Sequence, residues 1–234
     1  MKLLRSLHFP PSLVPFWGLW LLLGLGACQD ETGVTNHTVY ERDTLRPAPV
    51  DTTAPVDSFP LISPEIVQKV RPADGFDFPV GPPDAEDYYK YRGFLPNDLE
   101  HLGEDWNGIG GGNTDQGDYV FAAADGVVFF AEDFGGGWGI VIRMLHNYGT
   151  EAQPNYIESL YAHVASAWVR PGNRMKRGEI IGTIGSAGGI YHAHLHFEMR
   201  GSPGKPIPSG YEGDTLGFVD PTDFIQAHRP QRRP

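Results

Sequence analysis

The stretch Tyr191-His192-Ala193-His194-Leu195-His196-Phe197-Glu198 places three of the chain's nine histidines within five residues. Successive side chains of a strand point to opposite faces, so residues 192, 194 and 196 would share one side of a sheet. Packing rarely calls for three imidazoles on one face. The apolar residues between them suit a strand with one core face and one functional face. Glu198 continues the polar face, where a carboxylate could orient an imidazole through its second nitrogen or pair with Arg200.

Far upstream, His101-Leu102-Gly103-Glu104-Asp105 sets a histidine and a carboxylate four residues apart. On either a helix or a strand that spacing lets both side chains face the same way. Imidazole nitrogen and carboxylate oxygen are suitable zinc ligands, and a catalytic zinc keeps three protein ligands with a fourth position open to water. One ligand pair from 101–105 and one histidine from the second cluster would supply that number. On spacing alone, His194 and His196 are equally eligible. A third element, Leu160-Tyr161-Ala162-His163, lies between the two clusters.

Together these elements resemble the lysostaphin-like zinc endopeptidases of family M23, whose motifs are H-x3-D, a middle histidine and H-x-H. The resemblance runs from about Phe76 to about Phe224. Gly117 to Val128 looks like the family's first core hairpin, with Asp125-Gly126 as the turn, and Gly136 to Ile142 looks like the following strand. Val169 to Asn173 and Arg177 to Gly185 match the stretch between the middle histidine and H-x-H. The resemblance implies that His101, Asp105 and His196 bind zinc and that His163 and His194 stand beside the water it activates. His192 departs from the family pattern and could be a substrate contact, a mis-assigned partner or, as the favoured reading, an exposed turn residue.

Zinc lowers the pKa of a bound water from roughly 15.7 to about 7, so peptide hydrolysis would need no covalent enzyme intermediate. His163 or His194 could take the proton while the other donates to the oxyanion. Nucleophilic alternatives find little support. Ile184 occupies the first glycine position of a G-x-S-x-G elbow around Ser186, which reads as a turn residue. The single cysteine, Cys28, has another role.

Residues 1–27 carry Lys2 and Arg5 and then an apolar run from Phe16 to Gly26, the pattern of a secretory leader too short to span a bilayer. Leu25-Gly26-Ala27-Cys28 resembles the bacterial lipobox, which implies lipidation at Cys28 and anchoring of the mature chain to a membrane by its N-terminal lipid. Gln29 in place of Asp favours the outer membrane, facing the periplasm. Residues 28–70 are rich in Thr, Pro and Asp and read as an extended tether, with one short helix near Pro64 to Val70.

Residues 71–228 are expected to form one peptidase domain and residues 229–234 a tail. Short apolar runs punctuated by glycine predict a mainly β fold, an antiparallel sheet with a groove walled by loops such as Gly110–Gly112 and Gly135–Gly137. The segment Tyr88-Tyr89-Lys90-Tyr91 is expected to pack as a strand or overhang the groove. Eighteen basic against 29 acidic residues give a net charge of −11, which argues against nucleic acid as a partner.

The family's usual substrate implies a zinc metalloendopeptidase acting on peptidoglycan stem or cross-link peptides. Two rival readings are a non-catalytic peptidoglycan-binding activator of other wall hydrolases and a protease acting on Gly-rich proteins.

Overall fold

The computed structural model describes residues 62–95, 101–207 and 215–230. The expected leader, the expected lipidation position Cys28, the expected tether up to residue 61 and residues 231–234 lie outside the described residues. Among the described residues no helix is long and apolar enough to cross a membrane.

The expected antiparallel sheet is present. Its main path comprises β1 (Tyr88–Arg92), β2 (Glu104–Gly108), β4 (Gly126–Asp133), β5 (Ile140–Asn147), β6 (Tyr156–Ala167), β7 (Arg174–Met175) and β9 (Leu195–Arg200). The spatial order is β1-β2-β9-β6-β5-β4-β7. Off this path, β3 (Tyr119–Phe121) pairs with β8 (Ile180–Ile184), β8 also joins β6, and β10 (Phe218–Val219) joins β9. The H-x-H strand therefore sits mid-sheet, between β2 and β6.

That position explains the burial of β9 on both faces. Leu195, Phe197 and Met199 enter the main core with Trp106, Tyr161, Ile142, Met144 and Ile184, each at most 6% exposed. Their neighbours His196, Glu198 and Arg200 are equally buried but polar. On that second face Val141, Leu160 and Ala162 form a small apolar cluster against Trp138 and Ile207. The alternation read from the sequence thus separates an apolar core from a charged face on one strand.

Three local expectations are revised. Gly117 to Val128 is not a hairpin: β3 pairs with β8 and β4 pairs with β5, so Asp125-Gly126 leads from one pairing to another. Gly136–Trp138 is a 3-10 turn, and β5 begins only at Ile140. The predicted short helix, α1 (Pro64–Lys69), has Ser63 as its N-cap and Pro at its start. It belongs to the packed body, because Ile62, Val67 and Val70 cluster with Val127, Phe129 and Leu145. The packed structure therefore begins upstream of 71. At the other end, α2 (Pro221–Ala227) is capped by Asp220, and Arg229 pairs with Asp77 and Asp84, so the tail is anchored at its first residue.

Candidate metal centre

Asp105 on β2 lies directly opposite His196 on β9, and His101 approaches from the segment before β2. Asp105 Oδ1 is 2.9 Å from His196 Nδ1 and 3.1 Å from His101 Nε2, and the two nitrogens are 3.2 Å apart. Gly103 permits this approach: a Cβ there would lie 2.5 Å from the Phe197 carbonyl and 2.7 Å from Glu198 Cγ. All three donor residues are buried.

Each of the two rings facing Asp105 has its far nitrogen committed. His101 Nδ1 donates to the Gly93 carbonyl at 2.9 Å, and His196 Nε2 donates to Glu198 Oε1 at 2.9 Å. In the neutral rings the nitrogens facing each other are then both lone pairs, beside a carboxylate oxygen. Such a convergence is stabilised by a shared cation or proton. Donors about 2.0–2.1 Å from a tetrahedral centre lie roughly 3.3 Å apart. The observed separations and the two-imidazole, one-carboxylate set therefore fit zinc.

Electrostatics carry the same imprint. Burial opposes a charge on His196, but hydrogen bonds to Asp105 and Glu198 outweigh it and raise its pKa to about 9. Burial likewise opposes the Asp105 carboxylate, yet the bonds from His101 and His196 hold it well below the usual carboxylate range. A site that would trap a proton this firmly in its donor set also attracts a metal cation, which competes for the same nitrogen.

His194 and His163 complete the cluster. His194 Nδ1 donates to the His192 carbonyl at 2.8 Å, which turns Nε2 toward Asp105 Oδ1, 3.7 Å away. His163 reaches the site by a bulge. Ile142 opposes Tyr161 and Ile140 opposes Val164, so residues 162 and 163 both sit between two core-facing neighbours. His163 has φ of 61°, in the left-handed region that a non-glycine residue rarely occupies. Its ring centroid is 4.7 Å from that of His194 and 5.6 Å from that of His196. Burial, then repulsion from His196 and His194, pushes its pKa down to about 3.

The five predicted site residues are thus brought together. His192 lies before β9, exposed, and serves through its carbonyl, while its ring meets Asn113 at 3.3 Å. Glu198 meets both alternatives posed for it: it accepts from His196 and from Arg200 Nε, the latter at 2.6 Å. Sequence reasoning missed Trp138, whose carbonyl faces His163 Nδ1 at 3.4 Å and whose ring stands edge-on to His196. It also missed Arg143 and Glu158, visible only as opposite charges inside largely buried strands.

Above the cluster lies a groove of about 450 Å3, walled by Tyr89, Tyr91, Trp138 and Tyr191. The Tyr88–Tyr91 segment is both strand and wall. Gly112 lines the groove, and Gly137 allows Tyr191 to close in, since a Cβ there would lie 2.6 Å from its hydroxyl. Asn107, on the same face of β2 as Asp105, has its Oδ1 buried without a partner among the described residues.

The chain is similar in sequence to several known proteins. DD-carboxypeptidase/endopeptidase Mpg of Neisseria meningitidis is 38% identical over 111 residues, 47% of this chain and 24% of that protein. Murein hydrolase activator EnvC of Escherichia coli is 33% identical over 127 residues, covering 52% and 27%. Lipoprotein NlpD of Yersinia enterocolitica is 36% identical over 85 residues, covering 36% and 79%. The chain spans about a quarter of the length of its Neisseria relatives. Among solved structures, lysostaphin from Staphylococcus simulans aligns at 25% identity and a TM-score of 0.46, covering 63% of this chain and 52% of that one. A profile of Peptidase family M23 matches residues 104–208, a span that holds Asp105, His163, His194 and His196 and begins just after His101. The chain belongs to peptidase family M23.

Proposed function

We propose that this protein is a zinc metalloendopeptidase that hydrolyses peptide bonds in peptidoglycan stem or cross-link peptides. The observation that carries the reading is the convergence of His101, Asp105 and His196 with His163 and His194 on the floor of one open groove. His101 Nε2, Asp105 Oδ1 and His196 Nδ1 would hold the metal. Zinc there would supply a Lewis acid and a nucleophilic water near neutral pH.

The chain's own groups divide the remaining work. His194, with Nε2 turned toward the donor set and its ring less buried than His163, accepts the proton of the attacking water and returns it to the leaving amine. His163 is reluctant to carry a charge, and its Nδ1 donates to the Trp138 carbonyl at 3.4 Å, so in the neutral ring Nε2 is an acceptor. From there it would accept a hydrogen bond from the attacking water and orient it, leaving proton transfer to His194. The aromatic walls would hold an extended peptide across the floor.

We infer further that the chain is exported and lipid-anchored at Cys28, with the body facing the periplasm from the outer membrane. The test is to incubate the purified chain with sacculi, with and without a chelator, and to identify released fragments by mass spectrometry. New peptide termini that vanish with chelator and in His194→Ala are expected. The activator reading draws on the relatives named EnvC and NlpD. A folded, zinc-loaded protein that releases nothing alone yet accelerates a separate wall hydrolase would establish that reading instead. Cleavage of a Gly-rich protein without action on sacculi would favour the protease.

A further inference from the structure

We propose that Glu198 is a positioning residue for His196, held by the buried row Arg200, Glu158 and Arg143, and that it sets the affinity of the site for its metal. The inference rests on the zinc reading above. His196 Nε2 donates to Glu198 Oε1 at 2.9 Å, and this bond turns Nδ1 toward Asp105 and His101. Flipping the ring about its last torsion would exchange each nitrogen for a carbon and present no lone pair to the site. Glu198 makes that flip costly because it would leave the carboxylate oxygen without its donor.

Glu198 itself has little freedom. Its other oxygen accepts from Arg200 Nε at 2.6 Å, Arg200 Nη1 is 3.7 Å from Glu158 Oε1, and Arg143 grips both Glu158 oxygens at 2.6 and 2.9 Å. Glu158 also accepts from Gly204 N at 2.8 Å, and Arg143 Nη2 donates to the Lys205 carbonyl at 2.7 Å, so the segment after β9 closes over the row. All four charged residues are at most 1% exposed. Two cations and two anions cancel, so the row delivers orientation to the metal site without adding net charge.

Stability alone does not account for such a row. Buried ion pairs rarely outperform apolar residues of similar volume, and the same strand is packed with Leu195, Phe197 and Met199 on its other face. An ionic row reaching from the sheet centre to a metal-binding imidazole is accounted for by what it fixes in place.

The test compares zinc affinity, by competition with a chromogenic chelator, in the full chain and in two variants. Glu198→Gln should weaken zinc binding about 10–100-fold. Glu158→Gln, which reaches Glu198 only through Arg200, should lower the melting temperature of the metal-free protein and weaken zinc binding clearly less than Glu198→Gln does. Equal losses of affinity in the two variants would overturn the proposal, as would an unchanged affinity in Glu198→Gln. Should Glu198→Gln not fold, imidazole 15N spectra of the zinc-loaded wild type decide. Coordination through His196 Nδ1 with a slowly exchanging Nε2 proton supports the proposal, and coordination through Nε2 overturns it. A wild type that takes up no zinc overturns the functional reading and this inference together, whereas zinc uptake with an insensitive Glu198→Gln overturns this inference alone.

Discussion

The two faces of β9 solve the same burial problem in different ways. On the core face Leu195, Phe197 and Met199 lose water and need nothing further. A buried polar group of β5, His146, is kept neutral: its Nδ1 donates to the Asp125 carbonyl, Ser159 Oγ lies 2.6 Å from Nε2, and burial lowers its pKa to about 4. On the opposite face His196, Glu198 and Arg200 are held by partners of opposite charge. One face excludes charge and the other arranges it, which is why chemistry can sit on a strand that also anchors the core.

The comparison can be broken most severely at the site itself. His194→Ala should lower kcat about 10^2–10^4-fold, the usual worth of a proton-transferring group. Its bound zinc and melting temperature should stay near wild type, as metal analysis and calorimetry would read. A parallel loss of metal would mean that His194 is a ligand.

Next in size are the two modes of burial. Glu158→Leu should cost about 3–5 kcal/mol by leaving Arg143 buried and unpaired. Adding Arg143→Met should recover part of that loss in urea denaturation. Phe197→Ala should cost a similar 3–5 kcal/mol through its cavity, but no second substitution on the charged face should restore it. Strict additivity of Glu158→Leu and Arg143→Met would contradict the row described here.

The faces should also respond to pH with opposite sign. The folded pKa of His146, about 4, lies below its unfolded value of roughly 6.5, so the unfolded chain binds the extra proton. Stability should therefore fall by about 3 kcal/mol as pH drops from about 6.5 to 4. In chelator-treated protein His196 is raised to about 9, so its contribution is complete below about 6.5 and is lost as pH rises through 9. Urea midpoints across pH should reveal both flanks, with His146→Gln flattening the acid one and zinc removing the alkaline one. The smallest effect is expected from Tyr91→Ala on the groove wall: a rise in KM of a fewfold with kcat, zinc content and melting unchanged.

Much of this organisation was legible in the residues. Alternation from 194 to 200 separated the faces of β9, and the donor set followed from resemblance. What could not be read depends on partners distant in sequence. Arg143 and Glu158 are 15 residues apart and look like surface positions until β5 and β6 pair and the segment after β9 covers them. The 117–128 hairpin was misread because its turn residues suit a tight turn, whereas the pairing of β3 with β8 depends on strands more than 50 residues away. Alternation also extended the shared face to His192, although β9 begins only at Leu195.

The left-handed backbone at His163 has a consequence for engineering. L-residues avoid that conformation at a cost of about 1–2 kcal/mol, which glycine escapes. His163→Gly should therefore melt above His163→Ala despite glycine's greater entropy loss, although neither retains the imidazole. Position 163 is then a place where durability and turnover pull apart: a search for heat-resistant variants that ignored catalysis would be drawn to discard this histidine.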